Sequence, residues 1–495
     1  MTRALLINSN RYWRPGPVIP LGLCCVAAAC EQAGHELRLL DLCFARDCRK
    51  AIRQAITSFA PAVVGIGIRN IDDGVGRSTH FHLEDVKRDV VGPVKDLFGG
   101  PLVIGGPAVG INAREMLEFF DLEFAVRGDG ETTMARLLDR WSAGQPWDGT
   151  PGLVVRRAGQ IVDDQPPDRI PDLDRLPRPQ FHKYVDLKAY RRFDSPLQIQ
   201  TKRGCALRCV YCVYNQVEGH EYRLRDPLLV ADEIESLVRE TGINHIEFID
   251  STFNIPLDHA KAVLRAVIAK RMDLHLRTMG LNPGSIDGEL VDLLQQAGFS
   301  DVDVGAESGC DVTLKGLGKN YTKDAVLRAG TLLREKGLAI NWYMLLGGPG
   351  ETRETVAETL ATISQAARWN ELVCISIGLR LFNGSPLARE LCQSGRIARP
   401  DGFLRPVDYQ PEDISIEEIE QMVRRARFDH PNFLIVPDDE TITPRQHFSA
   451  VALLRRLKSR QPVWRFYIYT RCMEALSGLT TIKRWLWQRK QNRQR

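Results

Sequence analysis

Residues 201–212 read TKRGCALRCVYC and set Cys205, Cys209 and Cys212 in the spacing CxxxCxxC on one short segment. The preceding LQIQT (197–201) alternates apolar and polar residues and predicts a short strand, so the three thiols belong to a strand-end loop. Three thiolates hold three irons of a cubane [4Fe-4S] cluster and leave the fourth iron open for chemistry, whereas four would make a closed electron carrier. A structural zinc site is the alternative reading, and it needs a fourth ligand, for which His220 is the nearby candidate.

Outward from this loop the chain alternates strand and helix. HIEFIDS, LHLRT, DVDVGAES, AINWYMLLGG and LVCISIGLRLF follow LQIQT as strand candidates, separated by amphipathic helices such as 257–271. Six such units over residues 196–390 predict a partial (β/α)6 barrel related to the TIM barrel, open where eight units would close it. Active sites of such folds lie at the C-terminal ends of the strands. FIDSTF, VGAESG, LLGGPGET and LRLFNGSPL all fall at those ends.

With these motifs the segment resembles the radical S-adenosylmethionine superfamily. The resemblance implies that the open iron chelates S-adenosylmethionine, and that one electron from the cluster splits its C–S bond to give a 5'-deoxyadenosyl radical. It makes Cys205, Cys209 and Cys212 the catalytic and metal-binding residues and puts Tyr211 beside the adenine. Glu307, with Ser308 next to it, and Asp250 are placed to accept hydrogen bonds from the ribose or the methionine amine. The amides of Gly347 and Gly348 are expected to approach the same cofactor.

Upstream, ALLINSN, ELRLLDL, AVVGIGI, PLVIGG and EFAVRG are short apolar runs alternating with helical periodicity across residues 1–145. That pattern predicts a parallel, doubly wound Rossmann-like α/β domain. The order of GIGIRNID, VIGGPAVG and AVRGDGE resembles the cobalamin-binding modules fused to the same superfamily. The resemblance implies cofactor contacts at Arg69 and Asn70, at Gly105 and Gly106, and at Gly128, Gly130 and Glu131. The D-x-H-x-x-G loop that brings a histidine under cobalt in many cobalamin proteins is absent. Arg69 is therefore assigned to the lower face, since a guanidinium coordinates metal poorly, with His80 and His82 as rival residues.

Residues 146–195, rich in Pro, Asp and Arg, read as a linker. Residues 391–495 read as a mostly helical region ending in IKRWLWQRKQNRQR, a basic tail with two tryptophans. The net charge of +4, with 44% hydrophobic and 26% charged residues, describes an ordinary globular protein and demands neither nucleic acid nor an anionic membrane as partner. No apolar run reaches the roughly 18–20 residues of a membrane span, and a cytoplasmic protein is expected. The other nine of the twelve cysteines show no ligand spacing.

Together these readings predict an enzyme that uses a [4Fe-4S] cluster, S-adenosylmethionine and cobalamin to methylate an unactivated carbon of a small-molecule substrate, with an external electron donor. A cobalamin-dependent radical cyclase, oxidase or ring-rearranging enzyme is the alternative within the family. A non-catalytic cobalamin sensor, and an RNA-modifying enzyme recruited by the basic tail, are readings of other classes.

Overall fold

The computed structural model describes residues 1–436 apart from 14–15, 75–78 and 399–401; beyond 436 it describes residues 450, 453, 454, 456 and 464. The basic tail and Cys472 lie outside the described residues.

The first sheet contains β1 (Arg3–Asn8), β2 (Glu36–Asp41), β3 (Val63–Gly67), β4 (Leu102–Gly105), β5 (Phe124–Val126), β6 (Leu153–Arg157) and β7 (Gln160–Val162), in the order β2-β1-β3-β4-β5-β6-β7. The first five are parallel. Both faces are covered, which is why these strands read as continuous apolar runs. In β1, Leu5 and Ile7 enter one core with Val64, Ile66 and Ile104, while Ala4 and Leu6 enter a second core that continues into Leu197, Ile199 and Ile246. The chain reverses its strand order between β1 and β3, and the crevice at their C-terminal ends is where such sheets bind ligands.

The segment read as a linker differs from expectation. β6 and β7 lie within 146–195 and extend the first sheet in antiparallel fashion. The prolines fall outside these strands, at 146 and 151 before them and from 166 onward; LVVRR and QIV are themselves β-branched strand sequences.

The second unit contains β8 (Leu197–Ile199), the short β9 (Lys202–Arg203) and β10 (Arg223–Leu224), then β11 (His245–Phe248), β12 (His275–Thr278), β13 (Asp301–Glu307), β14 (Ala339–Leu346), β15 (Leu372–Ile377), β16 (Leu379–Arg380), β17 (Asp408–Tyr409) and β18 (Phe433–Val436). Parallel pairing gives β12-β11-β8 and β13-β14-β15-β18, and parallel bridges Leu276–Phe299 and Leu281–Val304 connect the two arcs. The six expected barrel strands thus form. A seventh, β18, comes from the region read as mostly helical and pairs with β15. The run LVCISIGLRLF is broken at Gly378, whose φ of +97° turns the chain out of the barrel so that β16 pairs antiparallel with β17.

Buried ion pairs join the two units. Arg203 from β9 meets Asp129 at 3.0 Å and Glu131 at 2.6 Å, and Arg380 from β16 meets Asp72 at 2.9 Å with both side chains at most 2% exposed. These contacts turn the C-terminal edge of the first sheet toward the barrel mouth. No described helix is long and apolar enough to cross a membrane.

Candidate active site between the barrel mouth and the first sheet

The cysteine loop is held at both ends. Asp250, at the end of β11, accepts hydrogen bonds from the Thr201 amide (2.8 Å) and hydroxyl (2.6 Å) and pairs with Lys202 Nζ at 3.0 Å, all of it buried. Its oxygens are therefore occupied by the strand from which the loop leaves. Asp250, expected as a cofactor contact, thereby fixes the loop's origin. Gly204 follows with φ +96°, and a Cβ there would lie 1.9 Å from the Glu221 carbonyl oxygen, so no other residue fits. The Cys205 amide donates to Gly219 O, and Val210 donates to Leu317 O while accepting from the Leu387 amide.

The three cysteines are free and close enough to act on one another: burial pushes the Cys212 thiol up to about 11, and the neighbouring Cys209 and Cys205 add to the rise. Burial raises Cys209 as well, opposed by Lys319. Thiols in this state become thiolates only when a cation compensates them, which suits a cluster ligand set. His220, the fourth ligand a zinc site would need, is exposed.

Beside the loop Tyr211, Glu307 and Lys319 form a closed triangle. The Tyr211 hydroxyl donates to Glu307 Oε1 at 3.1 Å, and Lys319 Nζ donates to both, at 2.9 and 3.0 Å, with its ammonium 5.1 Å from the Tyr211 ring centre. Glu307 has φ +59° and sits at an irregularity in the β13–β14 register, a backbone state that a non-glycine residue holds at a cost and that concentrates at functional sites. Lys319 escaped the sequence reading, since nothing local marks it.

Other expected contacts have partners within the protein. Ser308 is fully buried, bonded to Thr359 Oγ1 at 2.8 Å and to the Cys310 amide, so it ties β13 to the helix over Arg353–Ala366. The Gly347 and Gly348 amides point at the buried carboxylate of Glu351 rather than outward. Burial pushes Glu351 up to about 7, against those two amides.

Inside the barrel, a polar layer runs across five strands. Arg277 lies 3.1 Å from Glu247 and 3.4 Å from Asp303; Asn341 donates to Asp303 at 3.1 Å, and the Cys374 thiol to Asn341 at 3.4 Å. Burial pushes Asp303 up to about 6, opposed by Arg277. Tyr343 is 42% exposed between buried Trp342 and Met344, so it faces an open lumen. Polar residues two apart in otherwise apolar strands, as at 301 and 303 or 341 and 343, were the available signal for this layer.

On the first sheet, Arg69 and Asn70 line a cavity of about 310 Å³ with Ser9, Tyr12, His80 and His82. Arg69 is exposed, yet desolvation lowers its guanidinium pKa, while the charges of Tyr214 and Glu247 oppose that shift. His82 is kept neutral by burial, and its Nε2 has no partner. His80 bonds Asp85 at 2.6 Å, and Arg88 takes the other Asp85 oxygen, so His80 belongs to an ion-pair network.

Of the glycines expected at the cofactor in this domain, two lie hard against backbone. A Cβ at Gly106 would lie 2.6 Å from Ile68 O, and one at Gly128 2.2 Å from Asp168 O; Gly130 opens the helix over Gly130–Ser142 close to Val26, and Gly105 has only ordinary contacts. Glu131, expected as a cofactor contact, is 3% exposed and bound by Arg203. The RGDGE segment is an interface between the units because its acids find arginines more than 70 residues away.

Comparison with known proteins agrees with this geometry. The radical SAM superfamily model matches residues 199–363, and the B12 binding domain model matches residues 14–138. The tryptophan 2-C-methyltransferase of Streptomyces laurentii is 27% identical over 450 residues, covering 78% of this chain and 74% of its own. The cytidylyl-2-hydroxyethylphosphonate methyltransferase of Streptomyces wedmorensis is 25% identical over 516 residues, covering 90% and 92%. The fold superposes on the radical S-adenosylmethionine methyltransferase TsrM of Kitasatospora setae, solved with cobalamin and a [4Fe-4S] cluster and again with tryptophan and a SAM analogue. The TM-score is 0.81 in both cases, at 23% and 24% identity, over 96% of this chain and 100% of that one.

Proposed function

Because the chain is a cobalamin-dependent radical S-adenosylmethionine enzyme, we propose that it methylates a carbon atom of a small-molecule substrate held between the barrel mouth and the first sheet. The observation that carries this reading is the set of buried ion pairs, Arg203 with Asp129 and Glu131 and Arg380 with Asp72, that joins the strand ends of the first sheet to those of the barrel, with the charge of Tyr214 and Glu247 felt at Arg69. When bound, the cluster with S-adenosylmethionine supplies a 5'-deoxyadenosyl radical, and cobalamin supplies the methyl group.

The chain's own residues hold and enclose. Cys205, Cys209 and Cys212 would ligate the cluster. Tyr211, braced by Glu307, would offer its ring to the adenine. Arg69 and Asn70 would border the cobalamin, Arg69 with a guanidinium that coordinates metal poorly. Asp250 and Lys202 fix the loop from behind, and the buried Arg203 and Arg380 pairs hold the two units together. On this reading the cobalamin-binding unit runs through β7 rather than ending at residue 145. An external one-electron donor reduces the cluster.

Tryptophan, substrate of one relative, is the first compound to try. The enzyme is reconstituted anaerobically with iron, sulfide and cobalamin, then given S-adenosylmethionine labelled in its methyl group. A labelled methyl on a product carbon is the expected outcome across a panel of amino acids and aromatic acids. An unmethylated, oxidised or cyclised product would replace this reading with the cyclase alternative.

A further inference from the structure

Lys319 has no part in the ligand set, yet the chain builds it into the cluster loop. It follows the short helix over Asp311–Gly316, whose end packs so closely that a Cβ at Gly316 would lie 2.3 Å from Pro349 O. Next to it Gly318 has φ +71°, and a Cβ there would lie 2.5 Å from Arg208 O. The Val210 amide donates to Leu317 O at 3.1 Å, and the Lys319 amide donates to Leu314 O at 2.9 Å. Residues 316–319 therefore form a backbone cradle under 208–210, and it allows the lysine little movement relative to Cys209.

The side chain is only 8% exposed and ends on Glu307 and the Tyr211 hydroxyl. A lysine rarely goes so deep without a job for its charge. Glu307 Oε1, 3.0 Å from the ammonium, is its counter-charge in this buried setting. The cradle and the Tyr211 hydroxyl hold that charge against the loop that runs from Cys209 to Cys212.

We infer that Lys319 is a positioning residue that sets the reduction potential of the cluster: its fixed, buried positive charge beside Cys209 makes the one-electron reduction easier, and Glu307 is its counterweight. In that step a low-potential one-electron reductant is oxidised and the cluster gains one electron, with no bond made or broken at the protein. Reduction makes the cluster and its three thiolates more negative, so a cation in a low-dielectric setting stabilises the product more than the reactant. A carboxylate at the same place does the opposite.

The inference rests on the cysteine loop holding a cluster, and potentiometric titration of the reconstituted enzyme with titanium(III) citrate, followed by paramagnetic resonance, tests it. Lys319→Met is expected to shift the midpoint to more negative potential at unchanged iron and sulfide content. Lys319→Arg is expected to restore it, and Glu307→Gln to shift it the other way. A purely structural lysine would change cluster content without producing shifts of opposite sign. An unmoved midpoint in a fully loaded Lys319→Met enzyme overturns the inference. Should that variant fail to hold a cluster, Glu307→Gln decides: a positive shift supports the inference, an unmoved midpoint overturns it. A wild-type enzyme with no cluster signal would instead remove the ligand assignment itself.

Discussion

The cysteine loop and the RGDGE segment carry equally conspicuous sequence signals, and they differ in where the meaning of the signal resides. Thiols at CxxxCxxC spacing are ligands by their own chemistry, and the fold has only to bring them together. Glycines and acids have no such fixed use. At 127–131 they meet Arg203, Arg223 and the backbone around Asp168, and they form an interface between two units. Residue types with one chemistry announce a site, whereas residue types with several must wait for their tertiary partners.

The sharpest attack on that contrast is Cys205→Ala, Cys209→Ala and Cys212→Ala together. The cluster absorbance and its iron should vanish completely, while cobalamin still binds, because no cobalamin contact comes from the loop's thiols. Loss of both cofactors would mean that the thiols or the cluster they hold also help to retain cobalamin.

Next in size are the buried ion pairs. Arg203→Ala strips Glu131 of its partner, and Asp250→Ala does the same to Lys202; each should cost about 3–5 kcal/mol in unfolding experiments. For Glu131→Gln, lower stability with unchanged cobalamin affinity, read by dye-free absorbance titration, would support the interface role. Weaker cobalamin binding at unchanged stability would return the segment to the cofactor.

Glu351 gives a pH-dependent version of the same question. Its carboxyl rises from 4.5 to about 7 on folding, so the native state binds the extra proton between those values. Stability from this group is therefore undiminished below about pH 4.5 and falls as pH rises toward 7, by about 3 kcal/mol at most. Glu351→Gln should flatten that part of the stability curve, and an unaltered slope would show that the turn at Gly347 and Gly348 relieves the charge by other means. The smallest effect is expected at the exposed edge: His80→Ala should change stability by less than about 1 kcal/mol, since its pair with Asp85 is half in solvent.

Much of the architecture was legible because hydrophobic periodicity is local. Ten of the strand candidates correspond to β1–β5, β8 and β11–β14, and LVCISIGLRLF was legible apart from its break, which depends on Gly378 meeting Gly347. β18 was hidden because FLIV is equally at home in a buried helix until a free edge on β15 is known. In the site, the cysteines were legible and Lys319 was not, since it acquires its role from Tyr211, 108 residues earlier. Asp250 and Ser308 sit at strand ends as expected, but what fills their hydrogen bonds, Lys202 and Thr359, is a matter of packing that spacing does not encode.

The central claim is that the cluster loop and the cobalamin-bearing edge border one chamber, and magnetic coupling tests it most directly. In enzyme reconstituted with both cofactors and reduced so that cobalt(II) and the cluster are each paramagnetic, resonance spectra should show the two spins splitting or broadening one another, and the effect should disappear in the triple cysteine variant. Two independent, unperturbed signals from fully loaded enzyme would place the cofactors apart and contradict the account.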